Sequence, residues 1–130
     1  MPSIVAEVPA AEPAAALRHF ESGLAFETDC WDVHDALSRG ADFVLIDVRS
    51  AELYARGHVP GAINIPHAKI IGSRMSQYPA GTLFVVYCGG PHCNGAQRGA
   101  IRLARLGLPV KLMIGGMTGW LDEEFDVERA

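Results

Sequence analysis

The chain has 130 residues, enough for one compact domain around one core, and its 49% hydrophobic and 20% charged content is that of a globular protein, not a disordered one. A formal net charge of −4 without a basic stripe argues against nucleic-acid binding, and no apolar run approaches the roughly 20 residues needed to cross a bilayer. Pro2, Pro9 and Pro13 stand where a secretory leader has its apolar core, so the chain is expected in the cytoplasm, where three irregularly spaced cysteines do not read as a disulfide framework.

Residues 1–12 are rich in Ala, Pro and Glu and are expected to be frayed. Ala14 to Gly23 predicts a short helix ended by Gly23, which makes residues 1–23 an extension ahead of a main domain over 24–130. Leu24 to Glu27 reads as a short strand, and Trp31 to Ser38 as a helix with Asp29 as its N-cap and Gly40 as its stop. Phe43 to Val48 (FVLIDV) is a continuous apolar run, the pattern of a strand covered on both faces. Ala51 to Arg56 predicts a helix ended by Gly57, and Gly61 to Ile65 a short strand after the Pro60–Gly61 turn. A helix is expected over His67 to Gln77 and a turn over Pro79 to Gly81.

Thr82 to Tyr87 (TLFVVY) is the next buried strand, with Cys88 at its carboxyl end. The loop Gly89 to Gly95 leads into a helix over Ala96 to Leu106, closed by Gly107; Ala96, Ala100, Leu103 and Ala104 form its apolar stripe, with Arg98, Arg102 and Arg105 on another side. Val110 to Ile114 is a further strand and Gly116 to Glu124 a last short helix. Strands alternating with helices predict an α/β fold, a parallel five-stranded sheet with helices on both faces.

In such sheets, sites lie beyond the carboxyl ends of the strands, where loops meet helix N-termini. Cys88 holds that position. Free amides of the following loop and the positive end of the next helix favour an anion there, and hence the reactive thiolate. The alternative for Cys88 is a buried structural cysteine that ends an apolar strand.

Three ordered blocks carry a resemblance to a family. Phe43 to Pro66 (FVLIDVRSAELYARGHVPGAINIP) resembles the N-terminal signature of rhodanese domains, Val85 to Gly90 (VVYCGG) their active-site strand and the start of its loop, and Leu108 to Trp120 (LPVKLMIGGMTGW) their closing strand, glycine pair and terminal helix. The resemblance extends over Leu24 to Phe125 and implies a rhodanese-like three-layer α/β fold. It also implies a sulfurtransferase without a cofactor, in which Cys88 takes sulfane sulfur from thiosulfate or a persulfide or polysulfide donor. The resulting persulfide is held by a loop of Gly89, Gly90, Pro91, His92, Cys93, Asn94 and Gly95, and is passed to a thiol, cyanide or a protein acceptor. The expected assembly is a monomer or weak homodimer, away from membranes and nucleic acid. The second reading is a non-catalytic or regulatory module of the same fold, one that carries sulfur or docks on a partner protein.

The loop departs from the common single-domain pattern, because GGPHCNGAQ separates Cys88 from Arg98, a longer stretch than usual. Cys93 within it is either a resolving thiol for a Cys88 persulfide or a small packing residue. His92 either contacts an anionic donor or is solvated, and Arg98 either adds charge near the loop or belongs to a solvated helix face. The His-Cys-x5-Arg pattern of cysteine phosphatases fails around Cys88, where Tyr87 and Asn94 fill the flanking slots. It fails again around Cys93, where Arg98 comes one residue early. The resemblance implies that Asp47 and Arg49 help organise the loop and core. They are expected to form an ion pair or hydrogen-bonding network near the site without a direct chemical step, His58 to anchor a turn by hydrogen bonds, and Cys30 to pack in the core or at the surface. Gly61, Gly115 and Gly116 are expected to supply backbone conformations that side chains disfavour. Cys88, His92 and Cys93 lack the spacing and the fourth ligand of a zinc site, so no metal is expected.

Overall fold

All four residues of Phe84–Tyr87 are buried, as a strand covered on both faces requires. In the computed structural model, which describes all 130 residues, this strand is the centre of a five-stranded sheet. In chain order the strands are β1 (Glu27–Thr28), β2 (Val44–Asp47), β3 (Ile63–Asn64), β4 (Phe84–Tyr87) and β5 (Val110–Met113). They lie side by side in the order β1-β5-β4-β2-β3, and every pairing is parallel. The helices are α1 (Ile4–Glu7), α2 (Pro13–Phe26), α3 (Cys30–Ser38), α4 (Ala51–Arg56), α5 (Gly72–Met75), α6 (Gly95–Arg105) and α7 (Gly116–Asp122), with a 3₁₀ turn at His67–Lys69. The expected α/β architecture is thus the observed one.

Side-chain alternation along β4 divides the interior in two. Val85 and Tyr87 join Cys30, Val33, Met113, Met117 and Trp120 on one face, beneath α3 and α7. Phe84, Val86 and Cys88 join Ile70, Met75, Ala96 and Leu103 on the other, beneath α5 and α6. Local caps fix where the helices start: Asp29 Oδ1 accepts the Asp32 amide at 2.8 Å, and Ser50 Oγ accepts that of Leu53 at 3.3 Å. Gly107, at φ +77°, follows α6 where a stop is expected.

Most strands are a residue or two shorter than the sequence expectation, and four departures change the local structure. α2 runs through Gly23 to Phe26, so β1 is Glu27–Thr28 and not Leu24–Glu27; the Glu27 amide closes the helix on the Gly23 carbonyl. A glycine inside a helix costs only about 1 kcal/mol relative to alanine, so it does not by itself end one. Over His67 to Gln77 there is no continuous helix. Ile70 and Ile71 are extended between the 3₁₀ turn and α5, an arrangement that buries Ile70 and Met75 in the core. The extension expected to fray forms one turn, α1, capped by Ser3, with no buried residue. α7 stops at Asp122, and Glu124 turns the chain at φ +59°. No helix is long and apolar enough to cross a membrane.

Candidate active site

Cys88 follows the last residue of β4 and is 6% exposed. Beyond it the chain crosses Gly89 to Asn94 and enters α6 at Gly95. Within this loop the Cys93 amide donates to the Gly90 carbonyl at 3.1 Å. The amides of Gly89, Gly90, His92, Asn94, Gly95, Ala96 and Gln97 meet no oxygen acceptor in the protein. A run of free N–H groups that ends in a helix N-terminus has the chemistry to accept an anion.

The base of the loop is gripped by α7. The Met117 amide donates to the Cys88 carbonyl at 2.9 Å, and Thr118 donates to the Gly89 carbonyl twice, through its amide at 2.8 Å and its hydroxyl at 2.9 Å. With those carbonyls bound from below, the peptide planes after Cys88 are held in place. The approach is close enough to require Gly116: its φ is +57°, and a Cβ there would stand 2.5 Å from the Cys88 carbonyl oxygen.

Cys88 and Cys93 are joined as a disulfide, with Cα atoms 6.5 Å apart. The irregular cysteine spacing did not call for this pairing. Both sulfurs lie over Gly95, where a Cβ would come within 2.7 Å of Cys88 Sγ and 3.5 Å of Cys93 Sγ. Cys88, Gly90, Pro91, Cys93, Ala96 and Gln97 line one side of a cleft of about 180 Å³, whose other side is the end of β5 and the Gly115–Gly116 turn. A larger apolar groove of about 490 Å³ between α2, β5 and α6 adjoins it and shares Gln97, Leu112 and Ile114.

The remaining predicted residues separate into three places. His92 and Asn94 are exposed at the tip of the loop, outside the cleft lining. Asn94 leaves α6 uncapped and instead accepts from Arg98 Nε at 3.2 Å, so Arg98 is an exposed tether on the loop. Asp47 and Arg49 form a buried pair at 2.7 Å on the far face of the sheet from Cys88 and reach the site through Tyr87. Burial pulls the Arg49 pKa down, but the hydrogen bonds and charge of Asp47 outweigh it and raise it overall. His58 is buried; its Nδ1 lies 2.8 Å from the Tyr54 carbonyl, its ring stacks on Tyr54, and its backbone pairs with Glu128, so it clamps a turn and the C-terminal tail.

Sequence reasoning missed Thr118 and the Tyr87 hydroxyl. A Thr in the first turn of a helix opened by a glycine pair was the available signal for the first; nothing in an apolar strand marked the second. Cys30 packs as expected. Its Sγ lies 3.7 Å from the carbonyls of Ile114 and Gly116, and burial, then the charges of Asp29 and Glu123, push its pKa up to about 11. No three His, Cys, Asp or Glu side chains cluster as metal ligands would.

A family model described as the rhodanese-like domain matches residues 31–123. The chain is 41% identical over 80 residues to the HTH-type transcriptional regulator Rv0324 of Mycobacterium tuberculosis, a match covering 61% of this chain and 34% of that protein. Over 48 residues it is 40% identical to the tRNA sulfurtransferase of Thermoplasma acidophilum, covering 37% of this chain and only 9% of that one. The crystal structure of the BH2092 protein from Bacillus halodurans superposes with a TM-score of 0.87 at 38% identity, covering 91% of this chain and 87% of that chain.

Proposed function

We propose that this chain, which belongs to the rhodanese-like domain family, is a sulfurtransferase that carries sulfane sulfur as a persulfide on Cys88. The observation that carries the reading is the position of Cys88 at the end of the central strand, facing free loop amides and the N-terminus of α6. With the Cys88–Cys93 bond reduced, the Cys88 thiolate attacks the outer sulfur of thiosulfate. A new S–S bond forms, the old one breaks, and sulfite leaves with its electron pair. The negative end of the persulfide then rests on the amides of the loop, preorganised donors aimed at the charge as it develops. A thiol, cyanide or a protein thiolate next attacks the outer sulfur and Cys88 leaves as thiolate, so one difficult transfer becomes two easier ones. A thiol persulfide or a polysulfide serves as donor by the same displacement, with a thiolate or a polysulfide shorter by one sulfur leaving in place of sulfite.

A second reading, a regulatory module that carries sulfur without turnover, is favoured by the match to a third of a protein named as a transcriptional regulator. The apolar groove beside the cleft supplies a surface on which a partner could dock.

The test is intact mass. The reduced protein is incubated with thiosulfate and, separately, with a polysulfide or thiol persulfide. The expected result is gain of one sulfur that cyanide discharges, or its release as sulfide with Cys88 left oxidised, either of them absent in Cys88→Ser. No gain from any donor, with Cys88 reduced and open to alkylation, overturns the sulfurtransferase reading. A single loading without repeated thiocyanate production selects the regulatory module.

A further inference from the structure

We infer that the Cys88–Cys93 pair gives this protein a further activity, the reduction of sulfane sulfur to free sulfide, with Cys93 as the resolving thiol. The inference rests on the sulfurtransferase reading, because its substrate is the Cys88 persulfide.

Three features of the site support it. The Cα separation of 6.5 Å falls within the span of roughly 4.4–6.8 Å over which two cysteines bond without backbone movement. Cys93 is held at that distance by its own amide on the Gly90 carbonyl and by the start of α6 two residues later. Gly95 leaves open the space that both sulfurs share, which any side chain would fill. Lastly, Cys93 is the more exposed partner and lines the same cleft as Cys88, so a bond between them can be reached from outside. Cys30 is no competitor, since it is buried on the opposite face of the sheet.

The step balances within the chain except for its resetting. The Cys93 thiolate attacks Sγ of Cys88, the inner sulfur of the persulfide. The Cys93–Cys88 bond forms as the bond from Cys88 Sγ to the outer sulfur breaks. The electron pair of the broken bond leaves with the outer sulfur, which keeps the persulfide proton or takes one from water and departs as hydrosulfide. The sulfane sulfur is thereby reduced by two electrons, both drawn from the cysteine pair, which is oxidised to the disulfide. Attack on the outer sulfur would only move it from one cysteine to the other. The hydrosulfide leaves among the same loop amides that held the persulfide, so its charge is met by donors already in place. A dithiol protein of the thioredoxin class, or an excess of a small thiol, then reduces Cys88–Cys93 and returns the pair to its starting state by thiol–disulfide exchange.

The experiment is a single turnover without added thiol. The full chain is reduced, freed of reductant, and loaded with whichever of thiosulfate or a thiol persulfide charges it. Sulfide is trapped as it forms, and the cysteines are mapped after alkylation. Wild type is expected to release one sulfide per chain and end with Cys88 and Cys93 joined, whereas Cys93→Ser keeps its persulfide and releases sulfide at least about tenfold more slowly. Wild type that keeps its persulfide with Cys93 still alkylatable, or a Cys93→Ser protein that releases sulfide at the wild-type rate, overturns the inference. Failure of wild type and Cys93→Ser alike to gain or release sulfur overturns the sulfurtransferase reading, and the inference with it. Cys93→Ala is the second variant, and if neither folds, the sulfide yield and disulfide map of wild type decide alone.

Discussion

The Tyr87 hydroxyl donates to Asp47 Oδ2 at 2.9 Å and accepts the Val59 amide at 3.1 Å, which ties the residue before Cys88 to the buried pair of Asp47 and Arg49. Tyr87 and Asp47 are also register partners across β4 and β2, so the contact adds a side-chain lock to the strand pairing. Burial first, and then the charge of Asp47, push the Tyr87 pKa upward, which keeps the hydroxyl protonated and able to donate. The end of the central strand is thereby fixed from the face opposite the cleft.

Tyr87→Phe leaves the Val59 amide without an acceptor and takes one donor from Asp47. The expected loss is about 1–3 kcal/mol of stability in urea unfolding, the range for orphaning a buried polar group. Sulfur loading of Cys88 at low denaturant should stay within a few-fold of wild type, because the hydroxyl acts only through the strand. A loading defect of several orders of magnitude in a stably folded variant would contradict that positional role.

Removing the cation is a harsher change. Arg49 is nine-tenths buried, donates to both carboxylate oxygens of Asp47, and also reaches the Gly57 carbonyl at 2.7 Å. Arg49→Met strands the Asp47 charge in the interior and is expected to destabilise by about 3–5 kcal/mol, while Arg49→Met with Asp47→Leu recovers part of the loss. Urea unfolding of the single and double variants gives the coupling directly, and a double variant no better than the single would show that charge burial is not the cause.

The strand that ends at Cys88 and the parallel α/β order are legible in the sequence because their signal is local: continuous apolar runs such as FVLIDV and TLFVVY, bounded by glycine and proline. What the sequence leaves dark depends on distance through space. No rule of spacing tells that Ile70 leaves a helix to fill the core, since helix propensity and burial compete there and burial wins. The facing of Asp47 away from Cys88 follows from β-strand alternation only once the register to Tyr87 is known. The Cys88–Cys93 bond is a matter of Cα separation and loop path, neither of which a five-residue spacing fixes.

Gly95→Ala sets two effects against each other. Helix propensity alone would make the alanine more favourable by about 1 kcal/mol. Its Cβ, however, would stand 2.7 Å from Cys88 Sγ, an atom enclosed by the core around Val86 and Ala96. Overpacking is expected to win, with a net loss of about 1–3 kcal/mol. Disulfide mapping of the oxidised variant should find Cys88 and Cys93 largely unpaired, and a variant as stable and as fully paired as wild type would refute the crowding argument.

Gly116→Ala is disfavoured twice, by the left-handed φ of +57° and by a Cβ 2.5 Å from the Cys88 carbonyl. Strain of this kind costs about 1–3 kcal/mol. Relief requires the Met117 and Thr118 amides to withdraw from the loop, so sulfur loading of Cys88 should fall by roughly tenfold even where the protein remains folded. Loading at the wild-type rate would show that the grip of α7 on the loop is dispensable.

Alkaline pH acts through Cys30. Unfolded, its thiol ionises near the ordinary value of 9.0, whereas in the folded protein it keeps its proton until about 11. Between those values the unfolded chain binds fewer protons than the native one, so stability falls as pH rises, with a limiting slope of about 1.4 kcal/mol per pH unit from this group. Tyr87, also raised in the fold, adds a loss of the same sign above its ordinary value of 10.0. The comparison is made on the oxidised protein, in which Cys88 and Cys93 do not titrate, by urea unfolding of wild type and Cys30→Ala across that window. Cys30→Ala should be less stable at neutral pH, because it empties space against Gly115 and Gly119, yet its stability should decline less steeply with pH, so the two curves converge. Parallel curves would mean that the Cys30 thiol ionises as readily in the folded protein as in the unfolded chain, and the packing of Cys30 under the glycine turn would then be looser than its burial implies.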